Sequence, residues 1–199
     1  FLPLNMEMAE SSNAARHVSI PEENHVQQRS NWDCGLACTF MVLRHCGHSC
    51  DWKELEDFTG TKSVWTIDLA MLLASKKIRF TYFTALAGID QSHQNFVYYQ
   101  DQFQEDEARV SRLFQLASDA GVHIVEKNLS LDQLVDLART EHIAIITLVD
   151  SSCLAPPQDE RRCPLKSRSY VGHYILIVGY DDGSGAFIYR DPADSQGRR

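Results

Sequence analysis

The stretch QRSNWDCGLACTFMVLRHCG, Gln28–Gly47, decides the fold. Behind Cys34, the apolar residues Leu36, Ala37, Phe40, Met41 and Leu43 recur at helical spacing, and Gly47 supplies a stop. Asp33 stands where an N-cap belongs. A helix that opens on Cys34 sets a thiol at the positive end of a macrodipole. A thiol attacks only as thiolate, and that field, reinforced by an imidazolium, favours the anion. Gly35 keeps a side chain out of the path of an approaching substrate. The main-chain N–H of Cys34 is one of the unpaired donors of a first helical turn, available to an oxyanion. Gln28, on an extended lead-in six residues before Cys34, offers its carboxamide as the second donor.

The base has to come from elsewhere in the chain and be held in one tautomer by a third group. Tyr174–Tyr180 and Ala186–Tyr189 flank Asp181-Asp182-Gly183-Ser184-Gly185, a strong antiparallel hairpin signal. His173 opens the first strand of that hairpin and Asp191 follows the second. The two therefore lie at one end, where Asp191 accepts from one imidazole nitrogen while the other faces Cys34. Each residue alone has a blander reading: Cys34 as a small buried side chain, His173 as a core histidine, Asp191 before Pro192 as a turn former. Their joint appearance in the order Gln28, Cys34, His173, Asp191 favours a catalytic site. It predicts the Cys34 sulfur within hydrogen-bond reach of a His173 nitrogen.

Working outward, Asp51–Phe58 reads as a short helix capped by Asp51, and Thr66–Lys77 as another with lysines at its end. Ile78–Thr84 reads as a strand. Gln91–Ala120 is acidic and helical, two helices with the second from about Glu105, and resembles an insertion spanning about 88–121. Val122–Val125, a capped helix over Ser130–Arg139 and a buried strand over Ile143–Val149 follow. Ser151–Tyr170, with three prolines and two cysteines, reads as a surface loop. Helices come first and strands cluster last, which is an α+β pattern. Residues 1–24 are polar and unpatterned and read as a disordered tail, leaving 25–199 as a single domain.

At 199 residues and 44% apolar content, the chain suffices for one sizeable core. A net charge of −8 and a pI near 5.4 argue against nucleic acid as a partner, whose footprint is a clustered excess of Lys and Arg. No window reaches a membrane span, and Phe1–Ala15 lacks the charged and apolar regions of a secretory signal. Six cysteines without a signal fit a reducing compartment, so the protein is expected in the cytoplasm, with the nucleus as the alternative. Oligomeric state is left open. A metal reading competes for Cys34, Cys38, His45, Cys46, His48 and Cys50, which crowd seventeen residues. No C-x₂-C knuckle accompanies them, so no metal ligands are assigned, and packing roles are expected for the other thiols. Cys153 and Cys163 in the loop read as free thiols. The chain contains no Gly-rich phosphate loop and no paired-carboxylate motif.

The pattern Gln28-x₅-Cys34-Gly35-x-Ala37 with Gly47, joined by Gly172-His173-Tyr174 and Asp191-Pro192, resembles the C39 family of papain-like peptidases. That resemblance implies a papain-like α+β fold, a helical half and an antiparallel β half around a cleft. It carries Gln28 to the oxyanion hole, Cys34 to the nucleophile, His173 to the base and Asp191 to its orienter. Such a fold is expected to continue with further strands beyond Asp191, and whether the natural chain extends past Arg199 is left open. Over nearly its full length, including Asn31–Cys38 and Ser63–Ala70, the chain is similar to the guanylyl cyclase domain-containing family, most of all its plant soluble members. That resemblance implies conversion of GTP to cyclic GMP with Mg or Mn, and Lys77, near Trp65-Thr66-Ile67, as a phosphate contact. Three readings follow. The first is a thiol hydrolase of peptide or isopeptide bonds working through an acyl-enzyme without cofactor. The second is a guanylyl cyclase acting on GTP. The third is a peptide-binding groove without turnover.

Overall fold

The expected helix behind Asp33 forms as α1, Cys34–His45, and stops at Gly47, whose φ of +75° needs no Cβ. The computed structural model describes residues 2–7, 20–89, 103–154 and 170–195. After α1 come α2 (Trp52–Thr59), α3 (Thr66–Ser75), β2 (Thr81–Thr84), α4 (Phe103–Leu116), β3 (His123–Glu126), α5 (Leu131–Arg139), β4 (Ile143–Asp150), β5 (Gly172–Asp181) and β6 (Ala186–Arg190). A strand β1, Leu2–Glu7, precedes them all. The strands make one six-stranded sheet in the order β3-β2-β1-β4-β5-β6, antiparallel except where β2 and β3 run parallel.

Side chains alternate across the sheet as the strand period dictates. Ala144, Ile146, Tyr174, Leu176 and Val178 join the larger core with α1, α2 and α3. Ile145, Ile175 and Ile177 face the other way and pack with Ala138, Leu134 and Leu137 of α5. Helix α1 supplies Leu36, Met41 and Leu43, all fully buried, to the first core. Each is worth about 1.5–3 kcal/mol on full burial, so α1 is anchored by packing. Its place against β5 is thereby fixed.

Three expectations change. The 1–24 segment is not a tail throughout: Leu2–Glu7 pairs with both β2 and β4, and Ile20 is fully buried. Leu2, Leu4 and Met6 alternate with Pro3, Asn5 and Glu7, a period-two signal that the surrounding polar residues obscured. Residues 8–19 lie outside the described residues. Nor does the described part of the 88–121 segment from residue 103 onward merely decorate the core. A parallel pair needs a crossover, and α4 is that crossover between β2 and β3. It buries Val110, Ala117 just past its end is buried too, and the buried Asp106 accepts from Trp65 Nε1 at 3.0 Å and from Arg109 Nη2 at 2.9 Å. Arg109 also bonds Asp68 of α3, so α3 and α4 are riveted by a charge network. The first helix expected in that segment, from Gln91 to before about Glu105, falls almost wholly outside the described residues, which resume at 103. So does most of the surface loop, residues 155–169, with Cys163. The third change concerns Asp33 and is taken up below.

Candidate functional site

The hairpin brings the base and its orienter together. Leu176 pairs with Arg190, which sets Asp191 one step past the ladder and opposite Ile175. His173 is two residues further along β5, at the same end of the hairpin, within side-chain reach of Asp191. His173 Nε2 meets Asp191 Oδ1 at 2.7 Å, with both residues buried. Asp191 Oδ1 also accepts from Ala193 N at 2.9 Å, so the carboxylate is fixed from two sides.

Helix α1 delivers the thiol to the same place. The Cys34 sulfur accepts from Tyr174 N, the residue after His173, and lies near enough to the imidazole to act on its charge; since Nε2 is committed to Asp191, Nδ1 is the nitrogen left for sulfur. Burial disfavours the charged imidazole, but the bonds to Asp191 and Cys34, with their negative charge, outweigh it and raise His173 from 6.5 to about 9. Raised in this direction, the imidazole favours its protonated form at neutral pH. The sulfur therefore faces an imidazolium, the charge arrangement thiol nucleophiles use. A further donor reaches it from the main chain, Tyr174 N to Cys34 Sγ at 3.4 Å. Sequence reasoning missed that donor. A main-chain amide carries no residue-type signal, and only its place directly after His173 could have pointed to it.

Gln28 is tied to the same corner. Its N–H donates to Pro192 O at 2.9 Å, and His25 Nε2 lies 2.8 Å from Asp194 O, so the lead-in runs beside the turn that follows β6. Arg190, buried, extends the clamp by donating to Ile20 O at 3.0 Å. The Gln28 carboxamide donates to Ser30 O at 2.6 Å, which fixes its orientation, because the opposite flip would set two carbonyl oxygens together.

Two expected details differ. Asp33 occupies the N-cap position but makes no capping bond to α1. Its carboxylate turns back and accepts from Ser30 N at 2.9 Å and Arg29 N at 3.3 Å. Gly35 is buried and does not open a substrate path. A Cβ there would come 2.9 Å from Leu69 Cδ1 and 3.0 Å from Tyr174 Cδ2, so the glycine lets α1 close onto α3 and β5.

Lys77 is not brought to this site. It is exposed just past the end of α3, whereas Thr66 at the start of α3 bonds Tyr174 Oη at 2.9 Å. Ten helical residues separate the two ends by about 14 Å. Trp65 and Thr66 are absorbed in the α3–α4 network and in the Tyr174 contact. Among the described residues, no three of His, Cys, Asp and Glu are placed to hold a metal. Cys38 lies one turn past Cys34 in full burial. Burial first, then the charges of Cys34 and Asp191, push its thiol well above the usual range. Mg or Mn needs oxygen ligands, carboxylates above all. The buried carboxylates Asp68 and Asp106 are already engaged by Arg109, Trp65 and Ser63. Those two carboxylates are therefore not free to take such an ion.

Against known proteins, a sequence profile described as guanylylate cyclase matches residues 24–198, nearly the whole chain. The chain belongs to that family. Guanylyl cyclase 1 of Arabidopsis thaliana is 36% identical over 188 residues, covering 92% of this chain and 68% of the relative. Gln28, Cys34, His173, Asp191 and Lys77 all lie within the span that the family profile matches. No solved structure matches the chain. Among the described residues, no helix is long and apolar enough to cross a membrane.

Proposed function

We propose that this member of the guanylylate cyclase family is a thiol enzyme of papain-like architecture, with Cys34 as nucleophile, His173 as base and Asp191 as orienter. One arrangement carries the reading: the His173 imidazole is bonded to Asp191 at 2.7 Å, and the Cys34 sulfur at the start of α1 accepts from the very next amide, Tyr174 N, at 3.4 Å. A nucleophile-bearing helix packed on a sheet that bears the base and its orienter supports the papain-like fold.

In this reading the Cys34 sulfur attacks a carbonyl carbon, and the oxygen gains the charge. The Cys34 N–H and the Gln28 carboxamide receive that oxyanion. The tetrahedral species collapses as His173 Nδ1 gives its proton to the leaving group, forming a thioester on Cys34. Water, deprotonated by the same nitrogen, then hydrolyses the thioester and restores the pair. A peptide or isopeptide bond is the substrate class. Incubation with 4-nitrophenyl acetate tests the reading: wild type should release 4-nitrophenolate and carry an acetyl group on Cys34, and Cys34→Ala should do neither. Equal release from both proteins overturns it.

The comparisons favour a second reading, because the names of the family and of the Arabidopsis relative stand behind a guanylyl cyclase more directly than behind a hydrolase. This reading is conversion of GTP to cyclic GMP with Mg or Mn, and Lys77 as a phosphate contact. Highly purified protein incubated with GTP and either metal decides it. Cyclic GMP that disappears in Lys77→Ala and persists in Cys34→Ala would replace the thiol reading by the cyclase. Peptide binding in a cleft whose Cys34 is inert would leave a binding module.

A further inference from the structure

We propose that Asp33 is a positioning residue for the oxyanion-binding Gln28, an inference that rests on the thiol reading above. The position before a helix calls for a short polar side chain that accepts from the first-turn amides. Asp33 has the right chemistry and is fully buried, yet it declines that role. Its two carboxylate oxygens are spent on the lead-in: Oδ1 accepts from Ser30 N at 2.9 Å and Oδ2 from Arg29 N at 3.3 Å. Ser30 in turn presents its carbonyl to Gln28 Nε2 at 2.6 Å. The chain of contacts thus runs from the residue before the nucleophile, through a closed loop, to the carboxamide that serves the oxyanion.

Two consequences follow from the same orientation. The Gly35 and Leu36 amides, the ones a side-chain cap would take, are left uncapped beside the Cys34 N–H, so this helix end stays open to developing charge. The second hydrogen of the Gln28 amide is held in a fixed direction, because the first is committed to Ser30. A buried carboxylate is costly unless hydrogen-bonded, and here the two main-chain donors meet that need while fixing the loop. Asp33 touches neither substrate nor sulfur in this account. Its effect is confined to reactions that generate an oxyanion.

That confinement supplies the test. 4-Nitrophenyl acetate acylates Cys34 through a tetrahedral oxyanion: the sulfur–carbon bond forms, the ester carbon–oxygen bond breaks, and 4-nitrophenolate leaves. Iodoacetamide alkylates the same sulfur by displacement of iodide and forms no oxyanion. Both rates are measured by intact mass on wild type, Asp33→Ser and Asp33→Asn, with Cys34→Ala as the reference. A serine is free to rotate onto the helix amides as a cap, which releases the loop. Asp33→Ser should acylate about ten-fold more slowly while alkylation stays within about two-fold, a fraction of the 10²–10³ lost when an oxyanion donor is removed outright. Asp33→Asn keeps an acceptor for Ser30 N but faces Arg29 N with a donor, and should show the same selective loss to a lesser degree. If Asp33→Ser does not fold, the Asn variant carries the test alone. Acylation and alkylation falling together, or acylation unchanged, overturns the positioning role. Wild type acylating no faster than Cys34→Ala overturns the thiol reading itself, a distinguishable result.

Discussion

Helices α1 and α2 each begin after an aspartate, and the two aspartates behave differently. Asp51 caps α2 in the ordinary way, accepting from Glu54 N at 2.8 Å in an exposed setting. Asp33 is buried, leaves α1 uncapped and spends its carboxylate on the loop that carries Gln28. The same residue type at the same helix position therefore serves helix stability in one case and the surroundings of a nucleophile in the other. The difference lies in what precedes the helix. Gln28–Ser30 folds back on Asp33, and the lead-in ahead of Gln28 is clamped to residues 190–194.

The sharpest way to break this contrast is at the start of α1. Cys34→Ala and His173→Ala should each lower acylation by 4-nitrophenyl acetate about 10³-fold or more, since members of a catalytic unit act together. A stopped assay of 4-nitrophenolate release checks it. Next comes Gly35→Ala, which should cost about 1–3 kcal/mol of stability through overpacking. The neighbours that would meet the new Cβ at 2.9 and 3.0 Å belong to Leu69 and Tyr174. Denaturant unfolding reads that change.

The His173 pair makes a pH-dependent contribution whose sign is fixed. Its folded value is raised from 6.5 to about 9, so the stabilisation is present in full below about pH 6.5 and is lost as pH rises through 9. The melting-temperature gap between wild type and His173→Gln should narrow between pH 6 and pH 10. The smallest expected effect belongs to the start of α2. Asp51→Ala should cost about 1 kcal/mol of stability and leave Cys34 labelling by iodoacetamide unchanged. A labelling change there would dissolve the contrast between the two helix starts.

Much of this site is legible in the sequence because its parts sit on strongly patterned elements. The apolar period behind Cys34 gives α1, and the Asp181–Gly185 turn gives the hairpin that aligns His173 with Asp191. The turn is built as read, with Asp181 accepting from Gly183 N at 3.0 Å and from the Ser184 hydroxyl at 2.6 Å. What stayed hidden depends on tertiary partners. Strand β1 shows only a six-residue alternation, and its place between β2 and β4 is set by pairing far along the chain. Helix α4 reads as an insertion until the parallel pairing of β2 with β3 demands a crossover. The direction of the Asp33 carboxylate and the crowding at Gly35 are matters of a few ångströms that no residue pattern encodes. Lys77, read from a local motif as a phosphate contact of the cyclase reading, lies past the far end of α3 from Thr66 and belongs to that reading alone.

The central claim is that His173 activates Cys34, and the pH dependence of Cys34 alkylation tests it most directly. Iodoacetamide labelling of wild type and His173→Ala, followed by peptide mass mapping from pH 5 to pH 9, should show wild-type Cys34 reacting well at pH 6. The variant should react there at least about ten-fold more slowly, since its sulfur lacks the imidazolium that favours the anion. Cys34 labelled at the same rate in both proteins across that range would contradict the account.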